Sequence, residues 1–236
     1  MSPRHLVAAL ALLALPPAAR AQSEGVGSPM TGSLELRVGN YRPNVDAAIT
    51  GPTKPWADTF GGKRPLEFSL HAAKALPWRD YGTVEVGVGV GFFQASGHGH
   101  YVLDGKVAPD KTSFSMVPVA LTLTYRLDLL MDRWSIPLVP YGRAALQRYN
   151  WWIGGPTGST SKSGATDGYA YGGGVGLVLD FIDPVLAREL DNDTGINHTM
   201  LVFDVSKTRM DDFGSKKSWD LSDTKPTYSF GLLFVF

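Results

Sequence analysis

Residues 83 to 93 read Thr83-Val84-Glu85-Val86-Gly87-Val88-Gly89-Val90-Gly91-Phe92-Phe93, a run in which valine and phenylalanine alternate with glutamate and glycine. In an extended strand successive side chains point to opposite faces, so Val84, Val86, Val88, Val90 and Phe92 share an apolar face and Glu85, Gly87, Gly89 and Gly91 a small or polar one. A period of two is a strand signal, and the two faces meet unlike surroundings.

Seven more segments carry the same pattern between turn residues. Strands are predicted near Ser33 to Tyr41, Leu66 to Leu76, Thr83 to Phe93, Phe114 to Leu127, Leu138 to Trp151, Tyr169 to Phe181, Thr199 to Lys207 and Thr227 to Phe236. Most are long enough to cross a bilayer at a tilt, which takes about 9 to 11 residues. The connections Arg42 to Pro65, Ser96 to Thr112, Ile153 to Gly168 and Thr208 to Pro226 are long and polar, whereas Pro77 to Gly82 and Asp128 to Pro137 are short. Long connections at one end and short ones at the other match the asymmetry of outer-membrane barrels. The sixth connection should hold a short periplasmic helix, capped by Asp183, started by Pro184, continued from Val185 to Asp193 and stopped at Gly195. Leu186 and Leu190 would lay one apolar stripe against the barrel rim. Pro118, Pro140 and Pro226 fall in or beside predicted strands, where each costs a ladder bond and points to a bulge or a displaced strand end.

The expected fold class is therefore all-β, a closed antiparallel transmembrane β-barrel of about eight strands with one short periplasmic helix. After residue 21 no apolar run reaches 18 residues, so a membrane-embedded form can satisfy its backbone only as a closed barrel. Aromatic residues fall where interfacial girdles belong, with Trp78, Tyr81 and Trp134 at the short turns and Phe92, Tyr149, Trp151, Trp152 and Tyr169 toward the long loops.

Residues 1–21 read as a secretory signal. Arg4 and His5 precede the apolar run Leu6 to Leu15, and Pro16 and Pro17 lead to Ala19-Arg20-Ala21, an A-x-A cleavage pattern. A run of ten apolar residues is too short to span a bilayer as a helix. Residues 22–236 would then form the barrel domain. The 236-residue chain has 22 basic and 22 acidic side chains and no cysteine. That balance argues against a nucleic-acid partner, and the lack of cysteine removes disulfides, thiolate metal sites and lipoprotein anchoring.

The signal, the glycine-rich strands Val84 to Phe92 and Tyr169 to Leu179, and the terminal Tyr228-Ser-Phe-Gly-Leu-Leu-Phe-Val-Phe236 together resemble the small OmpA, OmpX and OmpW-like outer-membrane barrels. The resemblance covers the mature chain as a pattern. It implies that Tyr228, Phe230, Leu232, Phe234 and Phe236 carry the recognition signal for the barrel-assembly machinery. It also implies a location in the bacterial outer membrane, with outer-membrane lipid as surroundings. Residues Ala187 to Phe203 (ARELDNDTGINHTMLVF) look like a barrel family of predatory soil bacteria.

Inward-facing charge is the feature closest to chemistry. Glu35, Glu67, Glu85, Asp180 and Asp204 should share the lumen with Arg37, Arg126 and Arg143. An eight-stranded lumen is just wide enough for side chains to fill, so these charges should pair into a plug, with a narrow gated conduit as the alternative. His98 and His100 could share a metal only with further ligands, and Asp191-Asn-Asp193-Thr-Gly195 lacks the terminal glutamate of a calcium loop, so no metal or cofactor is expected. No nucleophile motif surrounds His71, His198 or the serines, and an enzyme is not expected. The expected role is structural, surface-interacting or porin-like for small solutes, as a monomer. A soluble lipocalin-like barrel with an apolar ligand, or a lipid-modifying barrel enzyme, are the alternatives. Hydrogen-bonded Ser and His side chains at the lumen mouth would favour the enzyme.

Overall fold

The structure is a computed structural model that describes residues 29–49, 51–76, 81–100, 107–155, 162–215 and 218–236. The predicted signal and Trp78 lie outside the described residues. Eight antiparallel strands close into one barrel in simple sequence order: β1 Gly32–Asn40, β2 Leu66–Ala75, β3 Thr83–His100, β4 Val107–Arg126, β5 Leu138–Gly154, β6 Lys162–Val178, β7 His198–Arg209 and β8 Thr227–Val235. β8 pairs with β1, so no edge strand is left open. One end, here called lower, carries Gly32, Val235 and the connections that follow β2, β4 and β6. The upper end carries the connections that follow β1, β3, β5 and β7.

The wall is uneven. β3 to β6 run to between 17 and 20 residues, and β1, β2, β7 and β8 to between 9 and 12. The expected upper loops 96–112 and 153–168 are therefore corrected, because most of their described residues extend the two hairpins β3–β4 and β5–β6. The prolines leave the register intact. The β3–β4 ladder lapses at Pro118, between the pairs Val90–Val119 and Phe93–Met116, and resumes in the same register. Pairing is continuous through Pro118 on the β5 side and through Pro140, and the described register shift lies between His98 and His100.

Among the described residues three short helices flank the barrel, where one was expected: α1 Pro55–Phe60 in the first upper loop, α2 Leu129–Trp134 in the second lower turn, and α3 Pro184–Thr194 in the third. α3 forms as its sequence signals it. The Asp183 side chain accepts from the N–H groups of Val185 and Leu186, Pro184 opens the helix, and Gly195 closes it in the left-handed conformation. Its expected apolar stripe is only partly covered, since no residue of α3 is buried, Leu186 is exposed and Leu190 is half-buried.

Odd and even positions separate as the alternation requires. Leu36, Phe68, Val86, Leu121, Leu146, Leu201 and Phe230 face outward and are exposed, whereas Glu35, Glu85, Thr122, Arg126, Asp204 and Ser229 face inward and are buried. Inside, an apolar layer of Val139, Tyr141, Val178, Met200, Val202, Leu233 and Val235 forms the lower core. A larger one, with Tyr41, Trp56, Phe93, Phe114, Met116, Tyr149, Trp151, Met210 and Leu221, forms the upper core. Tyr149 and Trp151 thus leave the predicted girdle and point into the lumen. Phe92, Trp152, Tyr81 and Trp134 remain on the exposed side.

Candidate functional site: an ion-paired lumen

Two sets of charges occupy the lumen. In the larger, Glu35 joins two arginines, with Oε1 2.6 Å from Arg37 Nε and Oε2 2.5 Å from Arg143 Nη2. Arg37 Nη2 reaches on to Asp204, which also accepts from the Ser229 hydroxyl and, at 3.2 Å, from Tyr141. Arg143 donates through Nε to Thr124 Oγ1 at 3.0 Å and lies 5.6 Å above the Tyr141 ring, a cation–π contact. The network therefore ties β1 to β4, β5, β7 and β8 across the interior. The smaller set pairs both Nη atoms of Arg126 with the Glu85 carboxylate at 2.7 Å, and Ser33 Oγ donates to Glu85 at 2.9 Å.

Glycine makes room for these long side chains. A Cβ on Gly231 would lie 3.1 Å from Arg37 Cγ, and one on Gly174 would lie 2.6 Å from Asp204 Cβ. The glycines of the inward faces are thus spacers in a lumen too narrow for eight rows of larger residues.

Of the eight lumen charges expected from sequence, six belong to these two sets. Glu67 faces inward but lines a small cavity above the network and forms no ion pair with it. Asp180 is misplaced by the sequence reading. β6 ends at Val178, and Asp180 sits in the lower turn, where it accepts from Thr199 N at 3.2 Å and lies 2.6 Å from His198 Nδ1.

The cavity between the charge network and the upper aromatic layer has a volume of about 90 Å³, room for a handful of water molecules. His71 and Ser69 lie on its wall, with Nε2 3.2 Å from Oγ. His71 Nδ1 is buried without a hydrogen-bond partner and would meet any side chain placed on Gly89. Among the described residues no carboxylate orients that ring.

The upper cap comes largely from loops. Asp46 accepts from the N–H groups of Trp56 and Ala57, at 2.7 and 3.2 Å, which fixes the start of α1 over the barrel. Trp56 then packs against Phe60, Phe93 and Phe114. The first and fourth upper loops are joined through Asn44 N to Ser222 O at 2.9 Å and through Arg64 to Asp223 at 2.7 Å. Trp219 stacks on Trp151 at 4.5 Å. The expected charge network did not include Tyr141, Thr124, Trp56 or Leu221. Strand parity puts Tyr141 on the face of Arg143 and Thr124 on that of Arg126, so their inward direction was legible although their bonds to the charges were not, whereas loop residues such as Trp56 and Leu221 carry no comparable signal.

His98 and His100 lie on the exposed upper hairpin, where His98 Nδ1 is 3.1 Å from Ala108 O. No group of three His, Cys, Asp or Glu side chains suited to a metal occurs among the described residues.

The five residues of the expected assembly signal occupy the outward row of β8 and its end, with Tyr228, Phe230 and Leu232 exposed and Phe234 and Phe236 half-buried. Phe236 continues the seam between β8 and β1, its N–H donating to Gly32 O at 2.9 Å and its carbonyl accepting from Gly32 N at 3.1 Å.

No family model and no curated protein matches the chain. Among solved structures it is similar in fold to Neisserial surface protein A, at 11% identity and a TM-score of 0.45, over 90% of this chain and 100% of that one. It is likewise similar to Ail, the attachment invasion locus protein of Yersinia pestis, at 14% identity and a TM-score of 0.38, over 87% and 99% of the two chains. Outer membrane protein AlkL gives 19% identity and a TM-score of 0.32, over 94% and 97%. The likeness is one of fold alone, and the architecture given for this chain rests on its own strand pairing.

Proposed function

We propose that the protein is a bacterial outer-membrane β-barrel that acts as a monomeric scaffold, presenting its upper hairpins and loops to the environment or to a partner, with a lumen closed to solute flow. One observation carries this reading: the outward face of the barrel is an exposed aliphatic and aromatic surface, while the inward face is ion-paired and capped. An apolar face of that extent exposed to water would be an aggregation surface, whereas in a bilayer it is solvated. A lipocalin-like carrier needs the reverse polarity, an apolar interior for its ligand. With the lower end in the periplasm, the short turns face inward and the loops reach the cell surface.

Fractionation tests the location. The unboiled protein should migrate in heat-modifiable form from an outer-membrane fraction, and recovery from the soluble periplasm would refute it. Planar-bilayer recording tests the closed lumen, because steady single-channel openings are inconsistent with it.

A second reading, a barrel enzyme acting on lipid esters, is favoured by the Ser69–His71 contact. Against it stand the unpartnered Nδ1 and a cavity too small for an acyl chain. Labelling of Ser69 by a fluorophosphonate would support it, and inert Ser69 in the folded barrel would dismiss it.

A further inference from the structure

The lower turn between β6 and β7 exposes a compact apolar surface that the barrel leaves uncovered. Phe181, Ile182, Val185 and Leu186 are 57%, 68%, 66% and 51% exposed, although they are adjacent on the turn and the first turn of α3. Phe181 lies in the turn just after Leu177, the last outward residue of β6, and Leu179. Leu177 in turn pairs with the exposed wall residue Leu201. The patch is thus continuous with the wall.

Two acids interrupt this apolar segment, and neither leaves its charge on the patch unengaged. Asp180 is held by His198 and by the N–H of Thr199, and Asp183 by the N–H groups of Val185 and Leu186. The neighbouring lower turn, joined to this one through Val178 N and Pro137 O at 2.9 Å, also exposes Trp134 and Ile136. Further along α3, Glu189 and Asp193 return at i+4 spacing to the helix face that bears Val185. An apolar first turn followed by acids on one face suits a helix that enters an interface by its N-terminal turn and inclines away from it.

The geometry points to a lipid-anchoring element: Phe181, Ile182, Val185 and Leu186 seat in the headgroup–acyl boundary of the leaflet at the lower end of the barrel. This inference rests on the membrane reading proposed above. Phospholipid is the occupant because the patch extends a surface already assigned to lipid and shows no pocket or charge pattern specific to a protein partner. Interfacial helices bury their apolar faces to a depth of about 5–10 Å in this boundary.

The absence of cysteine from the chain makes site-directed spin labelling direct. Ile182→Cys, Val185→Cys, the wall reference Leu201→Cys and the aqueous reference Asp193→Cys are labelled singly in full-length protein folded into phosphatidylcholine vesicles. Collision rates with oxygen and with a water-soluble nickel chelate are then compared. The expected result is an oxygen-to-nickel ratio at 182 and 185 several-fold above that at 193 and approaching that at 201. Labels at 182 and 185 that behave as at 193, with 201 still in lipid, overturn the anchor and leave the membrane reading intact. Labels at 182 and 185 shielded from both reagents assign the patch to a protein contact and also overturn it. A water-exposed label at 201 overturns the membrane reading and the anchor together.

Discussion

Glu85 and Arg126 meet inside the barrel as a two-point pair, with each Nη atom of the arginine 2.7 Å from one carboxylate oxygen, although Glu85 is cross-strand to Thr124 and Arg126 to Thr83. The contact is diagonal, and both side chains are buried. A buried pair is costly to break from one side because the remaining charge stays desolvated. Arg126→Met should therefore lose about 3–5 kcal/mol in urea unfolding, whereas Glu85→Leu with Arg126→Met should recover most of that loss. A double variant as unstable as the single one would mean that the pair's hydrogen bonds, and not its stranded charge, dominate.

Gly89 offers a steric test of the same interior. A Cβ there would lie 2.6 Å from His71 Cε1, so Gly89→Ala must displace the ring from Ser69. A loss of about 1–3 kcal/mol is expected, the usual range for overpacking. Adding His71→Ala should restore stability. Gly174→Ala supplies the contrast, since its Cβ would meet Asp204 Cα at 2.8 Å, and trimming a side chain cannot relieve a backbone contact. Rescue at both positions, or at neither, would contradict this packing.

The eight strands were legible because lipid and lumen impose unlike requirements on alternate residues. The upper extensions were not, since Gly97, Gly99 and Val107 to Thr112 lie where β3 and β4 rise above the apolar band. There the hydrogen-bond ladder continues while the alternation fades. Parity likewise assigned Glu35, Arg37, Arg143 and Asp204 to one face, but their pairing depends on how β1, β5 and β7 come together when the barrel closes. Tyr149 and Trp151 share the parity of Arg143 and were read as girdle residues from side-chain type alone. Asp180 shows the opposite error, an alternation followed two residues beyond the end of β6.

Phe236 combines a backbone role with an expected recognition role, and two variants separate them. Deleting it removes the paired hydrogen bonds with Gly32 at the β8–β1 seam. Phe236→Leu keeps those bonds and removes only the ring. In vesicles, refolding of the leucine variant should match the parent and that of the deletion variant should be slower. In cells, both should reduce the heat-modifiable outer-membrane fraction if the ring is part of the assembly signal. Normal assembly of Phe236→Leu would restrict Phe236 to closing the seam.

Asp212 and Phe213 hold consecutive left-handed backbone conformations, with φ of 50° and 56°, in the fourth upper loop. Such conformations cost non-glycine residues energy and persist only where neighbouring bonds enforce them. Here the Asp212 carboxylate accepts from Asp167 N at 2.7 Å, and Asp211 accepts from Gly214 N at 3.0 Å. The bond from Asp167 N–H holds the Asp212 carboxyl below the usual aspartate range. Because the folded-state pKa is lowered, the carboxylate supports the loop in full above the ordinary aspartate value. That support is lost as pH falls below this value and through the lowered one. Amide exchange at Asp167 should therefore accelerate only at strongly acid pH in the parent, beyond the intrinsic pH dependence of exchange. Asp212→Asn should give a weaker protection that does not titrate, because the amide oxygen still accepts but carries no charge. Acid loosening of equal size in the asparagine variant would place the responsible group elsewhere, with Asp211 the next to replace.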